Sequence, residues 1–468
     1  MLCGRWMLKP GDVLGSSVVA DILHTSLAFV VAIATLVAVH EYGHFLAARR
    51  LGVRVDKFSI GFGPSIFSWR SKDGEVTYVI AAIPLGGYVK MFGEQPGETD
   101  ELDGLTEGER KRAFNAQPVW SRALIAFAGP AFNFLFAIFA YMLIAWIGQQ
   151  VMPPVVGDVY PASPAARSGL MADDRIVQVE DVQIHSWQEV EEELRRHVGH
   201  QIHLGVLRDG GLKMLTLDVP RGKRDPLLVN VADEWVGISP GVQIIVDGVM
   251  AGSPAALAGL QEGDVIREVD GQPVHSVRVF IHQVQQHENK PMSIGVMREE
   301  TMMRFTLLPQ SDEEGKVRIG VRLAAKAMHP SEVYRMGLLD GFFYGLERTW
   351  DMTALTVKVI GKMISSAISP ENLGGPIAIA QLAGKTAEMG VVSFLSFLAL
   401  ISVNLAVLNL MPVPVLDGGH LMYLAIEGLR GRPLSRRTME WTQAVGIFMI
   451  VLLMVFAFYN DIARLFRE

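Results

Sequence analysis

A chain of 468 residues, half of them hydrophobic and only 19% charged, is too apolar for an ordinary soluble enzyme and reads as a membrane protein with a soluble part. Its net charge of −7 leaves no basic footprint, so nucleic acid is not an expected partner. A single cysteine, Cys3, excludes an intrachain disulfide, and any exported portion must fold by its core alone.

Four uncharged stretches reach the roughly 20 residues that a helix needs to cross a bilayer. The first runs from Ile22 to Val39 and continues through the sequence HEYGH. Arg5 and Lys9 precede it, as in a signal peptide, but its length and the motif it carries favour a retained span; Met7 is an alternative start. His40 and His44 stand four apart, on one face of a helix, so both imidazoles grip one ion with Glu41 beside it. Ionisable groups at membrane depth are costly and usually functional, and one zinc ion accounts for all three. A catalytic zinc takes three protein ligands. The longer three-histidine signature requires glycine at 47 and histidine at 50, where this chain has Ala47 and Arg50, so the third ligand comes from elsewhere.

After GFG at 61–63, the segment TYVIAAIPLGGYVKMF at 77–92 reads as two short strands about a turn of Pro84, Leu85, Gly86 and Gly87. Such a hairpin, dipping towards the metal, offers an edge for strand addition; simple membrane anchoring is its competitor. The acidic run TDELDGLTEGER at 99–110 is a solvated loop. The second span, Ala123 to about Gly148, carries Asn133, read as polar glue between helices.

An internal repeat follows. VYPASPAARSGLMADDRIVQVEDVQIHS from Val159 returns as VMAGSPAALAGLQEGDVIREVDGQPVHS from Val249, at a constant offset of 90 residues that also relates Arg208 to Arg298. In each copy a serine caps a short helix opened by proline, a glycine suits its left-handed stop, and an alternating strand follows. The unit resembles a bacterial PDZ domain over about 158–325. PDZ domains take up an extended peptide at a sheet edge, often a C-terminus, while packing or blocking access is the bland alternative. His185 and His275 read as turn residues. Beyond the repeat, MTALTVKVIGKMISSAIS at 352–369, with Lys358 and Lys362 four apart among apolar residues, reads as an interfacial amphipathic helix or, almost equally, as an ordinary amphipathic core helix.

The third span, Met389–Leu416, runs into NLMPVPVLDGGH at 409–420, and the fourth covers Trp441–Asn460. Arg49, Arg50, Arg54 and Lys57 after span one, and Arg430, Arg432, Arg436 and Arg437 after span three, put those two loops inside. Spans one and three then both run inward, which brings His40 and Asp417 to the same membrane face. Pro412 and Pro414 break the helix there, and such exposed backbone is tolerated at membrane depth only where it lines a cavity. Gly418 and Gly419 allow a sharp turn. Between Asp417 and His420, residue chemistry alone does not choose the third ligand.

HEYGH together with NxxPxPxxDG from Asn409 to Gly418 resembles the site-2 protease family of intramembrane zinc proteases, a likeness that extends to the tandem units, GFG and PLGGYVKM, and covers nearly the whole chain from residue 22. The resemblance implies His40, His44 and Asp417 as Zn2+ ligands, Glu41 as the catalytic carboxylate, and Asn409, Gly61, Phe62, Gly63, Gly86, Gly87 and Tyr88 as substrate-binding residues. The expected fold is a polytopic α-helical membrane protein with four transmembrane helices, a membrane-associated β-hairpin and two α+β PDZ domains inserted between helices two and three. Expected parts are 22–149 and 386–462 for the protease core, 158–235 and 236–325 for the PDZ units, and 330–385 for an amphipathic helix and linker. The implied activity is regulated intramembrane proteolysis in an envelope stress response, in a bacterial inner membrane with periplasmic PDZ units and the site near the cytoplasmic face. Implied partners are membrane lipid, single-span substrates of the anti-sigma factor type or remnant signal peptides, and peptide C-termini at the PDZ units. A noncatalytic PDZ scaffold is the alternative.

Overall fold

The computed structural model describes residues 16–94, 106–311, 315–365 and 374–467. Cys3, Met7 and the first part of the acidic run at 99–110 lie outside them. The chain forms two compact units, one made of the residues up to Gly148 and from Arg335 onward, the other of Gln149–Tyr334.

The first unit is helical. Helix α1 spans Ser16–Arg50 and α2 Val119–Ile147; α3 covers Leu338–Ile364, α4 Pro376–Glu388, α5 Val391–Asn409, α6 Asp417–Arg430 and α7 Arg436–Arg467. Helices α1, α2, α5 and α7 are long and apolar enough to cross a membrane. Small residues set their spacing: Ala137 and Ala140 of α2 pack on Ala399 and Val403 of α5, and a Cβ on Gly43 of α1 would come within 2.4 Å of the Ala128 carbonyl oxygen of α2.

The third span stops at Asn409 and not at Leu416. Pro412 and Pro414 withhold the N–H groups a continuing helix needs, and a separate helix, α6, starts at Asp417. Gly418 and Gly419 belong to that helix and make no sharp turn. What they supply is room, since a Cβ on either would meet the Met411 or Val413 carbonyl oxygen at 2.3 Å.

Strand β1 (Val55–Arg70) pairs with β2 (Thr77–Met91) through a turn at 71–76. Both strands fold back on themselves, so Ile60 pairs with Gly87 on one side and Ile80 on the other. The stretches 77–81 and 87–91 therefore flank 57–60 and do not form a hairpin of their own about Pro84–Gly87. The bend in β1 needs Gly61 and Gly63, whose φ values of +95° and +85° disfavour any residue with a side chain.

Helix α3 begins well before the stretch expected at 352–369 and packs along two spans. Gly345 lies where a Cβ would meet the Ile138 carbonyl oxygen at 2.6 Å, and the Thr356 hydroxyl reaches Asn404 of α5 at 2.8 Å. Helix α4 receives its N-terminal cap from another helix: the Asp461 carboxylate of α7 accepts from the backbone N–H groups of Gly375, Ile377 and Ala378 at 2.8, 2.9 and 3.2 Å.

In the second unit the 90-residue repeat is a repeat of structure. Helices Pro164–Ser168 and Trp187–Arg196 recur as Pro254–Ala258 and Val277–Gln286, and the strand Arg175–Val179 as Val265–Val269. Core positions correspond, Ile176 to Ile266 and Val206 to Val296. So does a buried ion pair: Arg208 holds Asp174 and the Gly169 carbonyl as Arg298 holds Asp264 and the Gly259 carbonyl.

The copies are joined by polar contacts. Asp158 accepts from the His275 backbone N–H at 2.9 Å and lies 3.4 Å from its Nδ1, Tyr160 shares a hydrogen bond with Ser276 at 3.3 Å, and Arg278 donates to Asp233 at 2.8 Å. His185 instead stacks on Tyr334 and donates its backbone N–H to Glu189.

The hydrogen bond to Asp158 raises the His275 pKa above 6.5, outweighing its partial burial. A raised histidine pKa contributes stability that is fully present below the unfolded value and lost as pH rises through the folded value. Protection of the amide at position 275, its exchange rate relative to the intrinsic rate at the same pH, is therefore expected to be greatest below about pH 6.5 and to fall above it, a dependence that His275→Gln removes.

Candidate metal centre

The motif on α1 turns its two histidines inward. His40 and His44 are nearly buried, with Nε2 atoms 3.2 Å apart and ring planes at 81°. Asp417, the first residue of α6, brings Oδ2 to 3.1 Å from His40 Nε2 and 3.5 Å from His44 Nε2. The ligand atoms of these three residues lie within 4.8 Å of one another, and among the described residues they form the one such cluster found.

The donor set fits a divalent cation. Asp417 Oδ2 is buried and has no hydrogen-bond partner. His44 Nδ1 lies 2.8 Å from the Ile125 carbonyl oxygen, which only accepts, so Nδ1 carries the proton and Nε2 presents a lone pair to the centre. A carboxylate oxygen and imidazole nitrogens aimed at one point, away from water, are costly without a positive charge between them. Gly129 of α2 forms the wall of this cradle: a Cβ there would lie 2.2 Å from His44 Nε2 and 2.9 Å from His40 Cε1.

A cavity of about 910 Å³ opens from the cluster, lined by Glu41, Phe62, Gly86, Gly87, Tyr88 and Asn409 among others. Glu41 projects beside the edge of β2, where a Cβ on Gly87 would meet Glu41 Cγ at 2.9 Å and the Ser59 carbonyl oxygen at 2.6 Å. Phe62 stacks parallel to Tyr88 with ring centroids 6.1 Å apart. Gly61 and Gly63 do not line the cavity and sit at the bend that presents Phe62. His420 lines it too, against Tyr423, but it is Asp417 that stands with the histidines.

Three contributors escape the sequence. Asn133, expected to join helices, does so by placing its side chain on His40 Nδ1 at 3.0 Å. Gly129 is a small residue among many until its neighbour is known. Arg122 of α2 makes a two-pronged, largely buried bridge to Glu427 of α6 at 3.1 and 2.5 Å, holding the helix that starts with Asp417. The AGPAFN string marks 129 and 133 as unusual in a span, but no pattern links 122 to 427.

Residues 28–453 match the family described as Peptidase family M50. The chain is 40% identical over 460 residues to Protease RseP of Yersinia pestis, covering 95% of this chain and 100% of that protein. It is 39% identical over 454 residues to the regulator of sigma-E protease RseP of Escherichia coli K12, covering 93% and 98%. A Vibrio cholerae protein named as a zinc metalloprotease is 39% identical over 457 residues, covering 95% and 100%. Among solved structures, the PDZ domain of the SdrC-like protein Lmo2051 from Listeria monocytogenes is 25% identical, covers 17% of this chain and 86% of that one, and has a TM-score of 0.17.

Because the space at 129 is set by a ring nitrogen, Gly129→Ala is expected to push His44 out of the cluster. Overpacking of this kind costs about 1–3 kcal/mol, and zinc content of the purified variant, measured by elemental analysis, should fall below half of the unsubstituted protein's.

Proposed function

The chain belongs to peptidase family M50 and is a site-2 type zinc metalloprotease, and from that premise we propose that His40, His44 and Asp417 are its zinc ligands and Glu41 its catalytic carboxylate. The observation that carries the assignment is the convergence of three ligand atoms from α1 and α6 beside Glu41.

When bound, zinc supplies a Lewis acid and lowers the pKa of a coordinated water towards about 7. Glu41 accepts the proton of the attacking water and returns it to the amide nitrogen that leaves as the peptide bond breaks. Asp417 contributes one negative charge beside two neutral imidazoles, so the centre keeps a net positive charge for the carbonyl oxygen. A helical substrate hides its carbonyls in its own hydrogen bonds. The edge of β2 at Gly86–Tyr88 offers it an extended partner, with Phe62 beside it, and Asn409 bonds its backbone through amide oxygen and nitrogen.

The substrates we propose are single-span membrane proteins of the anti-sigma factor type, cut near the cytoplasmic side of the inner membrane after another protease has trimmed their outer part, as an envelope stress response requires. Remnant signal peptides have the same chemistry. The duplicated unit at 158–325 is read as two periplasmic PDZ domains that screen for trimmed substrates, by their ends or by size. Support comes from the likeness to RseP proteins and from the basic residues that flank spans one and three.

Purified protein should cleave a model single-span substrate and stop on chelation. Glu41→Gln should reduce cleavage by at least about 10²–10⁴-fold while zinc content is unchanged; turnover at the unsubstituted rate refutes the role given to Glu41. A noncatalytic scaffold would be indifferent to chelator and to Asp417→Ala. Deletion of 158–325 should widen the range of substrates cut, and a folded but inactive deletion counts against screening.

A further inference from the structure

Asn133 is fully buried in α2, with Nδ2 3.0 Å from His40 Nδ1 and Oδ1 buried without a partner. An amide nitrogen facing Nδ1 makes that atom the acceptor, and the single proton of the neutral ring then falls on Nε2, the atom that faces His44 and Asp417. That arrangement strands Oδ1 and blocks the nitrogen on which the cluster depends. A half-turn of the amide, whose two ends are nearly the same size, cures both faults at once: Oδ1 accepts from His40 Nδ1–H and Nε2 is left with its lone pair.

We infer that Asn133 is a positioning residue for the metal, its amide oxygen accepting Nδ1–H of His40 and so fixing the ring in the tautomer and orientation that a divalent cation needs at Nε2. His44 has the same arrangement with the Ile125 carbonyl. Both outer partners come from α2, about two turns apart, on either side of the gap left by Gly129. The helix is held at that point, because the Asn133 backbone oxygen accepts from Ser402 Oγ of α5 at 2.9 Å. Outer partners of this kind fix ligand geometry and typically carry 10–100-fold in metal affinity.

The inference rests on the metal reading of the same residues, and the measurement separates the two. Zinc affinity of the purified full chain is read by competition with a coloured chelator, using Zn2+ alone as ligand, for the unsubstituted protein, Asn133→Leu and Asn133→Asp. The leucine variant should bind zinc about 10–100-fold more weakly, and the aspartate variant, which accepts but has no N–H to give, should hold it within about threefold. Equal affinity in the leucine variant overturns the role of Asn133. If the leucine variant does not fold, the aspartate variant decides alone: retained affinity supports the acceptor role, and a loss of tenfold or more overturns it. An unsubstituted chain that binds no zinc overturns the metal reading itself.

Discussion

Helices α1 and α2 meet at Gly43 and Gly129 so closely that a methyl group at either position would strike its neighbour, and the proposed zinc centre is built on that approach. An apolar bundle penalises two imidazoles and a carboxylate unless each has a partner. Close contact lets α2 supply partners at short range, the Ile125 carbonyl to His44 and the Asn133 amide to His40. It also leaves Asp417 Oδ2 without a protein donor, the one debt that a cation settles. Farther along, the Arg122–Glu427 bridge ties α6 to α2, so α1 and α6, which carry the three proposed ligands between them, are both registered against one helix.

The halves of the centre could be read separately in the sequence because each is a local pattern. The HEYGH spacing is a property of one helix, and the proline pair in NLMPVPVLDGGH is a property of one break. Counting basic residues beside the spans was enough to bring both to one face. What could not be read is whatever depends on contact between distant segments. Gly418 and Gly419 looked like turn residues by composition, yet they are helical and serve a close approach. PLGG looked like a hairpin turn, but β1 interposes itself between the two flanking stretches, a register that composition does not encode. The same holds for α3, whose charges at Lys358 and Lys362 leave an interfacial and a core helix equally open, while the contact of Thr356 with Asn404 of α5 depends on a segment far away in the chain.

The duplicated unit was legible for a different reason. A repeat carries its own control: the capping serine, left-handed glycine and buried Asp–Arg pair recur together, so chance agreement at one position is outweighed by the others. What the repeat hides is divergence. His185 and His275 occupy the same place, yet one stacks on Tyr334 and the other grips Asp158 of the preceding copy. Equivalent positions were free to take different partners because the neighbours of the two copies differ.

The cap that α7 places on α4 binds together two helices that lie far apart in the chain. Helix α4 packs against the N-terminal half of α1, where Gly384 meets Thr25, and its first N–H groups, which no carbonyl of its own can reach, are satisfied by Asp461. The cluster itself spans most of the chain, since Asp417 lies 377 residues after His40, and no part of the chain made before α6 can complete it. One bundle thus joins the two extremes of the first unit, with the histidines near its beginning and the cap of α4 near its end.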